Sequence, residues 1–356
     1  MKTLHIMTSC NNNSAMYIMP QLLSIAENLS QYKIEFYLFH YRIPPNIIER
    51  IKTYADELKC ITFNEIVIED VEPYIELTKY GGPWPPEAYF SLCCHEYLSE
   101  DIDRVMYIDA GDIIINGDIS EYYFDDFEGK SIIATLQNKK SDGSVYTKDD
   151  FGNPEYLRII TELGIINSGS YIINLNQLRA DGISMADYLY LALALRENSP
   201  TGEKLYFGDQ GFISVAFAGD IKYFGYPKII DPEYMPYNFQ IGILRSISKL
   251  SYTPVVLHFV GMRLKPFQAK ISEATLLQCE PISEQLFKNE LFDMNHKFHK
   301  YYEIYWEYCK KTPLYDLINP VVSAYGKALE DFYIPLCIKY LKECKGENKH
   351  VKKNKK

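Results

Sequence analysis

Short apolar runs alternate with segments of helical periodicity at the start of the chain, and this alternation limits the fold more than any other feature. Residues 4–7, 34–39 and 61–68 are apolar runs of strand length. Segments 16–28 and 44–55, which lie between them, carry apolar residues at helical spacing. Because a strand-helix-strand unit returns the chain in the same direction, the pattern predicts an α/β fold, with a parallel sheet and helices on both faces.

Further elements continue this pattern along the chain. Segments 104–108, 132–136, 170–175 and 255–259 are predicted strands, and Glu87 to Leu98 is a predicted helix. The polar, glycine-containing segment 139–153 is typical of a surface loop. From about Pro281 onward the pattern is helical, and the last twelve residues are strongly basic. We therefore divide the chain into an α/β domain, a helical extension and a basic disordered tail, at residues 1–270, 271–344 and 345–356.

Composition excludes several classes of protein. Of the 356 residues, 47% are hydrophobic and 24% charged, which excludes a wholly disordered chain. The formal net charge of -10 argues against a general nucleic-acid binder, which would carry a basic excess. The eight cysteines form no CxxC pair, and the first residues do not read as a secretory leader. Scattered thiols of this kind predict a cytoplasmic protein.

Two carboxylates follow one of the predicted strands directly. Tyr107-Ile108-Asp109-Ala110-Gly111-Asp112 places Asp109 and Asp112 where a parallel strand ends, the edge at which open α/β sheets bind ligands. Carboxylate oxygens are ligands that Mg²⁺ or Mn²⁺ prefers, and such ions bind diphosphates. The alternative is a structural turn in which both side chains cap backbone amides.

Three other segments carry residues suited to ligand binding. Asn167-Ser168-Gly169 precedes a predicted strand, Asp209-Gln210 opens a predicted helix, and His258 ends a strand with Gly261 and Lys265 after it. Asp and Asn can hydrogen-bond sugar hydroxyls, His can ligate a metal, and Lys can neutralise a phosphate. Each segment alone also has a structural interpretation, as a turn, a helix N-cap and a packed histidine.

Taken in order, YIDAGD, NSG, DQ and HFVGMRLKPF resemble the pattern of glycosyltransferase family 8 over about residues 1 to 270. This is the family of retaining nucleotide-sugar transferases that includes glycogenin and bacterial lipopolysaccharide galactosyl- and glucosyltransferases. The resemblance implies a GT-A nucleotide-diphospho-sugar transferase fold with a mixed central sheet and flanking helices.

The resemblance also implies roles for individual residues. Asp109, Asp112 and His258 would hold a divalent metal, Mn²⁺ or Mg²⁺, that bridges the donor diphosphate. Lys265 and the Gly261 backbone would contact the same phosphates. The remaining donor contacts would come from Asn167, Ser168 and Asp209 at the sugar, from Gln210 near the anomeric carbon, and from the turn that includes Ser9, Asn11 and Asn13 at the uridine.

The sequence departs from the family pattern at several positions. Asp109 and Asp112 are separated by two residues instead of one, so the chain must bulge there for both carboxylates to reach one ion. The aromatic residue that usually stacks on uracil is missing from the first turn, although Tyr17 can replace it. An arginine that the family commonly carries before the acidic strand is also replaced.

These observations predict a metal-dependent retaining hexosyltransferase with a UDP-galactose or UDP-glucose donor and a glycan or glycolipid acceptor. Its pathway would be bacterial surface polysaccharide or lipopolysaccharide synthesis. Two alternatives remain: a catalytically impaired relative that binds glycans as a scaffold, and a metal-dependent phosphoesterase. The basic tail predicts a peripheral contact with the inner face of the membrane, and the alternative there is a solvated end.

Overall fold

The chain divides into two compact units, Met1–Met262 and Arg263–Lys356. The computed structural model describes residues 1–81, 84–136, 158, 162, 164–197, 208–224, 238–240, 255–259 and 299–317. All strands described below, and the described residues of the candidate site, belong to the first unit. The described part of the second unit includes the helix His299–Lys310.

Strands and helices alternate through the first unit. The strands are β1 (Thr3–Ser9), β2 (Lys33–His40), β3 (Ile61–Val67), β4 (Arg104–Ile108), β5 (Ile113–Ile115), β6 (Ile132–Leu136), β7 (Ile166–Asn174), β8 (Ile221–Tyr223), β9 (Asn238–Gln240) and β10 (Val256–His258). The α-helices are α1 (Ile18–Asn28), α2 (Pro45–Glu57), α3 (Glu72–Gly81), α4 (Cys94–Tyr97), α5 (Ser120–Tyr123), α6 (Leu175–Ala180), α7 (Met185–Glu197), α8 (Gly208–Ala216) and, in the second unit, α9 (His299–Lys310). Two 3₁₀ turns, Ala15–Tyr17 and Pro86–Tyr89, complete the described elements.

Seven strands form the main sheet, in the order β3-β2-β1-β4-β7-β6-β8. β1, β2, β3 and β4 run parallel, as the alternating pattern at the start of the chain predicts for the first three. β7 is antiparallel to both of its neighbours, β4 and β6, so the sheet as a whole is mixed rather than parallel. The mixed sheet with flanking helices confirms the α/β class.

β7 therefore brings its first residues to the carboxyl end of β4. Ile108 is paired with Ser170, and the Asp109 amide donates to the Gly169 carbonyl over 2.9 Å. A second, three-stranded sheet has the order β5-β10-β9, and its strand β5 begins directly after Asp112. β10 is antiparallel to β5, with His258 paired with Ile113.

The strands β4 and β6 are buried on both faces, which explains their nearly continuous apolar sequence. The four residues of β4 after Arg104 are apolar or aromatic, and Val105 to Ile108 are each at most 2% exposed. Buried tyrosines fill much of the space beside them. The hydroxyl of Tyr122, which is fully buried, donates to the carbonyls of Ile133 and Ser170 over 3.3 and 3.2 Å.

Two sequence predictions for this unit are wrong in detail. The helix expected over Glu87 to Leu98 is absent as one element: a 3₁₀ turn at Pro86–Tyr89 and the short helix α4 replace it. The segment between them, Phe90 to Cys94, is buried at every position and so has no solvent face for an amphipathic helix. The strand expected from Ser170 begins earlier, at Ile166, so the Asn-Ser-Gly triplet lies inside β7 instead of before it.

Several predictions lie outside the described residues. They are the loop at 139–153, most of the helical extension at 271–344, and the basic tail at 345–356. Within the extension, α9 lies where the sequence predicts helix. None of the helices in the described part of the chain combines the length and the apolar character needed to cross a bilayer.

The central strand β7 should carry much of the stability of the first unit. Replacing fully buried Ile172 by alanine removes apolar contacts on a strand paired on both sides, so we expect a loss of about 2–5 kcal/mol of unfolding free energy. Val67, on the edge strand β3 and 47% exposed, provides the matched control. Val67→Ala should change the free energy by no more than about 0.5 kcal/mol in the same denaturant titration. Equal losses in the two variants would contradict this account of the core.

Candidate metal and donor site

A tight turn between β4 and β5 carries the two carboxylates. Gly111, midway through it, has a φ of +73°, a left-handed backbone conformation that residues with a side chain rarely adopt. A Cβ at this position would also lie 2.7 Å from the Cβ of Tyr17. Glycine at this position therefore allows the turn at residues 110–112, which accommodates the extra residue between Asp109 and Asp112.

His258 joins these carboxylates through the pairing of β10 with β5. The Phe259 amide donates to the Asp112 carbonyl over 2.9 Å, which fixes the end of β10 beside the turn. One ligand atom from each of Asp109, Asp112 and His258 lies within 4.8 Å of the others. Asp112 and His258 are 3% and 2% exposed, whereas the Asp109 side chain is 32% exposed. The cluster is thus a buried site with one open side.

The chemistry of this cluster fits a divalent cation. The Nε2 atom of His258 lies 3.3 Å from Oδ2 of Asp109 and makes no hydrogen bond within the described residues. Two carboxylates and an imidazole nitrogen form a mixed oxygen and nitrogen donor set of the kind that Mn²⁺ and similar ions accept. Without a cation, neighbouring carboxylates in a buried site repel each other.

Tyr107 holds the other side of the Asp109 carboxylate. Its buried hydroxyl donates to Oδ1 of Asp109 over 3.1 Å, so Oδ2 is the oxygen that faces His258. The Asp109 carbonyl accepts from Nε2 of buried Gln21 over 2.9 Å. Sequence reasoning did not select Tyr107 as a site residue. Its position two residues before Asp109 on a strand, and so on the same face, was the available signal.

The Asn-Ser-Gly triplet of β7 packs directly against the imidazole. Oδ1 of Asn167, which is fully buried, accepts from the Gly169 amide over 3.0 Å and lies 3.1 Å from Nδ1 of His258. A Cβ on Gly169 would lie only 1.9 Å from Cε1 of His258. Gly169 was not among the predicted site residues, although its place in the NSG motif pointed to a close approach.

A third carboxylate, Asp209, lies in the first turn of α8 and is 7% exposed. Ser168 donates a hydrogen bond to it, which favours the ionised form. Burial, followed by the negative charge of Asp109, outweighs this bond and raises the pKa of Asp209 to about 7. Gln210 follows, and its buried Nε2 has no hydrogen-bond partner in the described part of the chain.

The first turn of the chain contains the residues predicted to hold a nucleoside. Ser9 is the last residue of β1, and its hydroxyl donates to the Glu87 carbonyl over 2.7 Å. Asn11 closes the turn, with Oδ1 accepting from the Asn13 amide over 3.0 Å, and Asn13 is exposed. Gly261 and Lys265 lie outside the described residues.

The contact between Gly169 and the imidazole yields a direct prediction. In Gly169→Ala the added Cβ would force the His258 ring out of its place, so we expect Mn²⁺ affinity to fall by about tenfold or more, as measured by calorimetry. Gly117→Ala is the matched control, because its Cβ would lie 3.4 Å from Val255, an ordinary contact. An unchanged affinity in Gly169→Ala would show that the ring is not a ligand.

The raised pKa of Asp209 predicts how stability depends on pH in chelator-treated protein. Between the ordinary pKa of an aspartate and about 7, the folded protein retains a proton that the unfolded chain has lost. The stability from this protonated group is therefore complete below the unfolded pKa and is lost as the pH rises through about 7.

Asp209→Asn removes this dependence. The unfolding free energy of the variant relative to wild type should increase from pH 5 to pH 8, as measured by denaturant titration. A difference that stays constant over this range would mean that Asp209 is already ionised at pH 5.

Known proteins resemble this chain in sequence and in fold. The family model described as Glycosyl transferase family 8 matches residues 5–271. A lipopolysaccharide 1,2-glucosyltransferase of Escherichia coli is 26% identical over 159 residues, which make up 44% of this chain and 43% of that enzyme. The chain thus matches less than half the length of this curated relative.

Solved structures match over a larger share of the chain. A galactosyltransferase, LgtC, in complex with donor and acceptor sugar analogues, has a TM-score of 0.55 at 15% identity and covers 81% of this chain and all of its own. The glycosyltransferase GlyE of Streptococcus pneumoniae TIGR4 has a TM-score of 0.53 at 16% identity, covering 91% of this chain and 64% of its own. At these identities the likeness shows the fold, which is the GT-A fold.

The family model spans most of the chain. It includes the first turn and the four motifs YIDAGD, NSG, DQ and HFVGMRLKPF. The chain belongs to glycosyl transferase family 8.

Proposed function

We propose that this protein is a metal-dependent, retaining hexosyltransferase that moves galactose or glucose from a UDP-sugar to a glycan acceptor. The observation that carries the proposal is the convergence of Asp109, Asp112 and His258 in one buried cluster, with Asp209 coupled electrostatically to Asp109. The activities of a structural neighbour, a galactosyltransferase, and of a relative, a lipopolysaccharide 1,2-glucosyltransferase, support the choice of sugar and pathway. We therefore assign the protein to bacterial surface polysaccharide or lipopolysaccharide synthesis.

Oδ2 of Asp109, a carboxylate oxygen of Asp112 and Nε2 of His258 would hold the ion, Mn²⁺ or Mg²⁺. When bound, such an ion neutralises the charge that develops on the departing nucleoside diphosphate. The Tyr107 hydroxyl leaves Oδ2 available by engaging the other oxygen of Asp109. Lys265 and the Gly261 backbone would contact the same diphosphate.

Polar groups beside this cluster would bind the donor sugar. Asp209 accepts from Ser168 at the amino end of α8, and the Nδ2 atom of Asn167 and the Nε2 atom of Gln210 are buried without a hydrogen-bond partner in the described residues. Buried amide groups without partners are costly, and sugar hydroxyls would satisfy them. Ser9, Asn11 and Asn13 at the end of β1 would lie against the uridine.

The reaction would retain the anomeric configuration by front-face attack. A covalent intermediate needs a strong nucleophile, and the amide of Gln210 is weak compared with a carboxylate. The Gln210 carbonyl oxygen would instead stabilise positive charge at the anomeric carbon. The acceptor hydroxyl would then lose its proton to the departing phosphate oxygen as the new glycosidic bond forms.

We place this reaction in the cytoplasm, at the inner face of the membrane. The support is the basic segment 345–356, whose lysines would each contribute about 1 kcal/mol near an anionic surface. An acceptor carried on a glycolipid would be presented at the same surface.

Two substitutions test the proposal. Asp109→Asn and His258→Ala each remove one donor atom from the cluster, so both should lower Mn²⁺-dependent cleavage of UDP-galactose or UDP-glucose by about 100-fold or more. Asp181→Asn, at an exposed position bonded to Gln177, is the matched control and should keep wild-type turnover. Release of UDP is the readout, because it requires no knowledge of the acceptor.

Three results would contradict the proposal. Full metal-dependent turnover in both variants would show that Asp109 and His258 are not needed to hold the ion. A wild-type protein that binds UDP and Mn²⁺ but cleaves neither donor would favour the scaffold function. Release of phosphate from simple esters, without UDP-sugar cleavage, would favour a phosphoesterase.

A further inference from the structure

We propose that Asn167 is a positioning residue that fixes His258 in the tautomer with its proton on Nδ1, so that the lone pair of Nε2 faces Asp109. The inference deepens the proposed function, because it rests on the same cation site. Asn167 would thus orient the His258 side chain, in addition to making the sugar contact that the family resemblance implies.

The orientation of the Asn167 amide is set by the backbone. The Gly169 amide donates to Oδ1 over 3.0 Å, and only the oxygen of the side chain can accept such a bond. The atom that lies 3.1 Å from Nδ1 of His258 is this same oxygen. Since an acceptor faces Nδ1, Nδ1 must carry the proton for a bond to form.

The imidazole has little freedom to escape this arrangement. The residue is 2% exposed, and its ring lies against the Cα of Gly169, where an added Cβ would come within 2.5 Å of three ring atoms. Its backbone is held by the pairing of β10 with β5. Rotating the ring by half a turn would place carbon in the position of Nδ1 and lose the bond to Asn167.

With the proton on Nδ1, Nε2 presents only a lone pair to Oδ2 of Asp109, at 3.3 Å. Two acceptors at this distance repel each other unless a cation or a proton lies between them. If Nε2 carried the proton instead, it would donate to Asp109 and occupy both ligand atoms. Asn167 therefore prevents a hydrogen bond between His258 and Asp109 that would occupy two metal ligands. Hydrogen bonds of this kind to metal-binding histidines change metal affinity by about 10- to 100-fold.

Two variants separate this role from a sugar contact. Asn167→Leu removes the acceptor and the amide nitrogen together. Asn167→Asp keeps an acceptor for Nδ1 and for the Gly169 amide but loses the nitrogen, which has no hydrogen-bond partner among the described residues. Tyr171→Phe is the matched control, because Tyr171 is a buried residue of β7 whose hydroxyl bonds Ser91 at 2.6 Å.

The readout is the protonation of the ring nitrogens in the full-length, metal-free protein. Long-range proton–nitrogen NMR at pH 8, with ¹⁵N-labelled histidine, distinguishes the two tautomers, and a His258→Gln sample identifies the signal among the seven histidines. Wild type, Asn167→Asp and Tyr171→Phe should show Nδ1 protonated and Nε2 bare, while Asn167→Leu should show Nε2 protonated. Calorimetry with Mn²⁺ alone should give about 10- to 100-fold weaker binding in Asn167→Leu only.

A wild-type His258 with its proton on Nε2 would overturn the proposal. So would an Asn167→Leu variant with unchanged tautomer and unchanged Mn²⁺ affinity. If the leucine variant does not fold, the wild-type and Asn167→Asp spectra decide alone. Failure of the proposed function is distinguishable, because the tautomer is measured without metal, donor or turnover.

Discussion

The antiparallel pairing of β7 with β4 determines where the candidate site residues lie. β4 ends at Ile108, which is paired with Ser170 in the middle of β7. The amino-terminal half of β7 therefore reaches the acidic turn, which parallel pairing would have placed at the other end of the sheet. A hydrogen bond from the Ile166 amide to Ser214 then ties α8, with its first-turn Asp209, to the same strand.

Electrostatic repulsion between buried carboxylates is the second constraint on the candidate site. Asp109 and Asp112 lie beside the His258 imidazole, the charge of Asp109 acts on Asp209, and burial strengthens these interactions. The negative charge of Asp109 contributes to the raised pKa of Asp209. A divalent ion held by Asp109, Asp112 and His258, as we propose, would relieve this repulsion.

Local sequence patterns predicted the elements that depend on local forces. The three parallel strands β1, β2 and β3 and their intervening helices follow from apolar periodicity alone. The two errors occur where tertiary contacts decide the outcome. Phe90 to Cys94 is wholly buried and contains one polar residue, Ser91, so its composition does not distinguish a helix from successive turns. Asn167 and Ser168 resemble turn residues, but they lie in β7, whose pairing with β4 and β6 extends the strand through them.

The four motifs could be selected from the sequence, but the contacts among them could not. Asp112 and His258 are 146 positions apart in the chain and meet only because β10 pairs with β5. The spacing of residues along the sequence does not predict the pairing of β10 with β5. Only the family resemblance therefore placed His258 with the carboxylates. The supporting roles of Tyr107 and Gly169 required the structure. The Tyr107 hydroxyl donates to Asp109, and the absence of a side chain at Gly169 makes room for the His258 ring.

The central claim is that one cation is held by Asp109, Asp112 and His258. Anomalous diffraction at the manganese edge, from crystals grown with Mn²⁺ and UDP, tests it most directly. The account predicts a single strong peak within bonding distance of Oδ2 of Asp109, a carboxylate oxygen of Asp112 and Nε2 of His258. A peak bound elsewhere, or UDP held in the site with the His258 ring turned away from the ion, would contradict it.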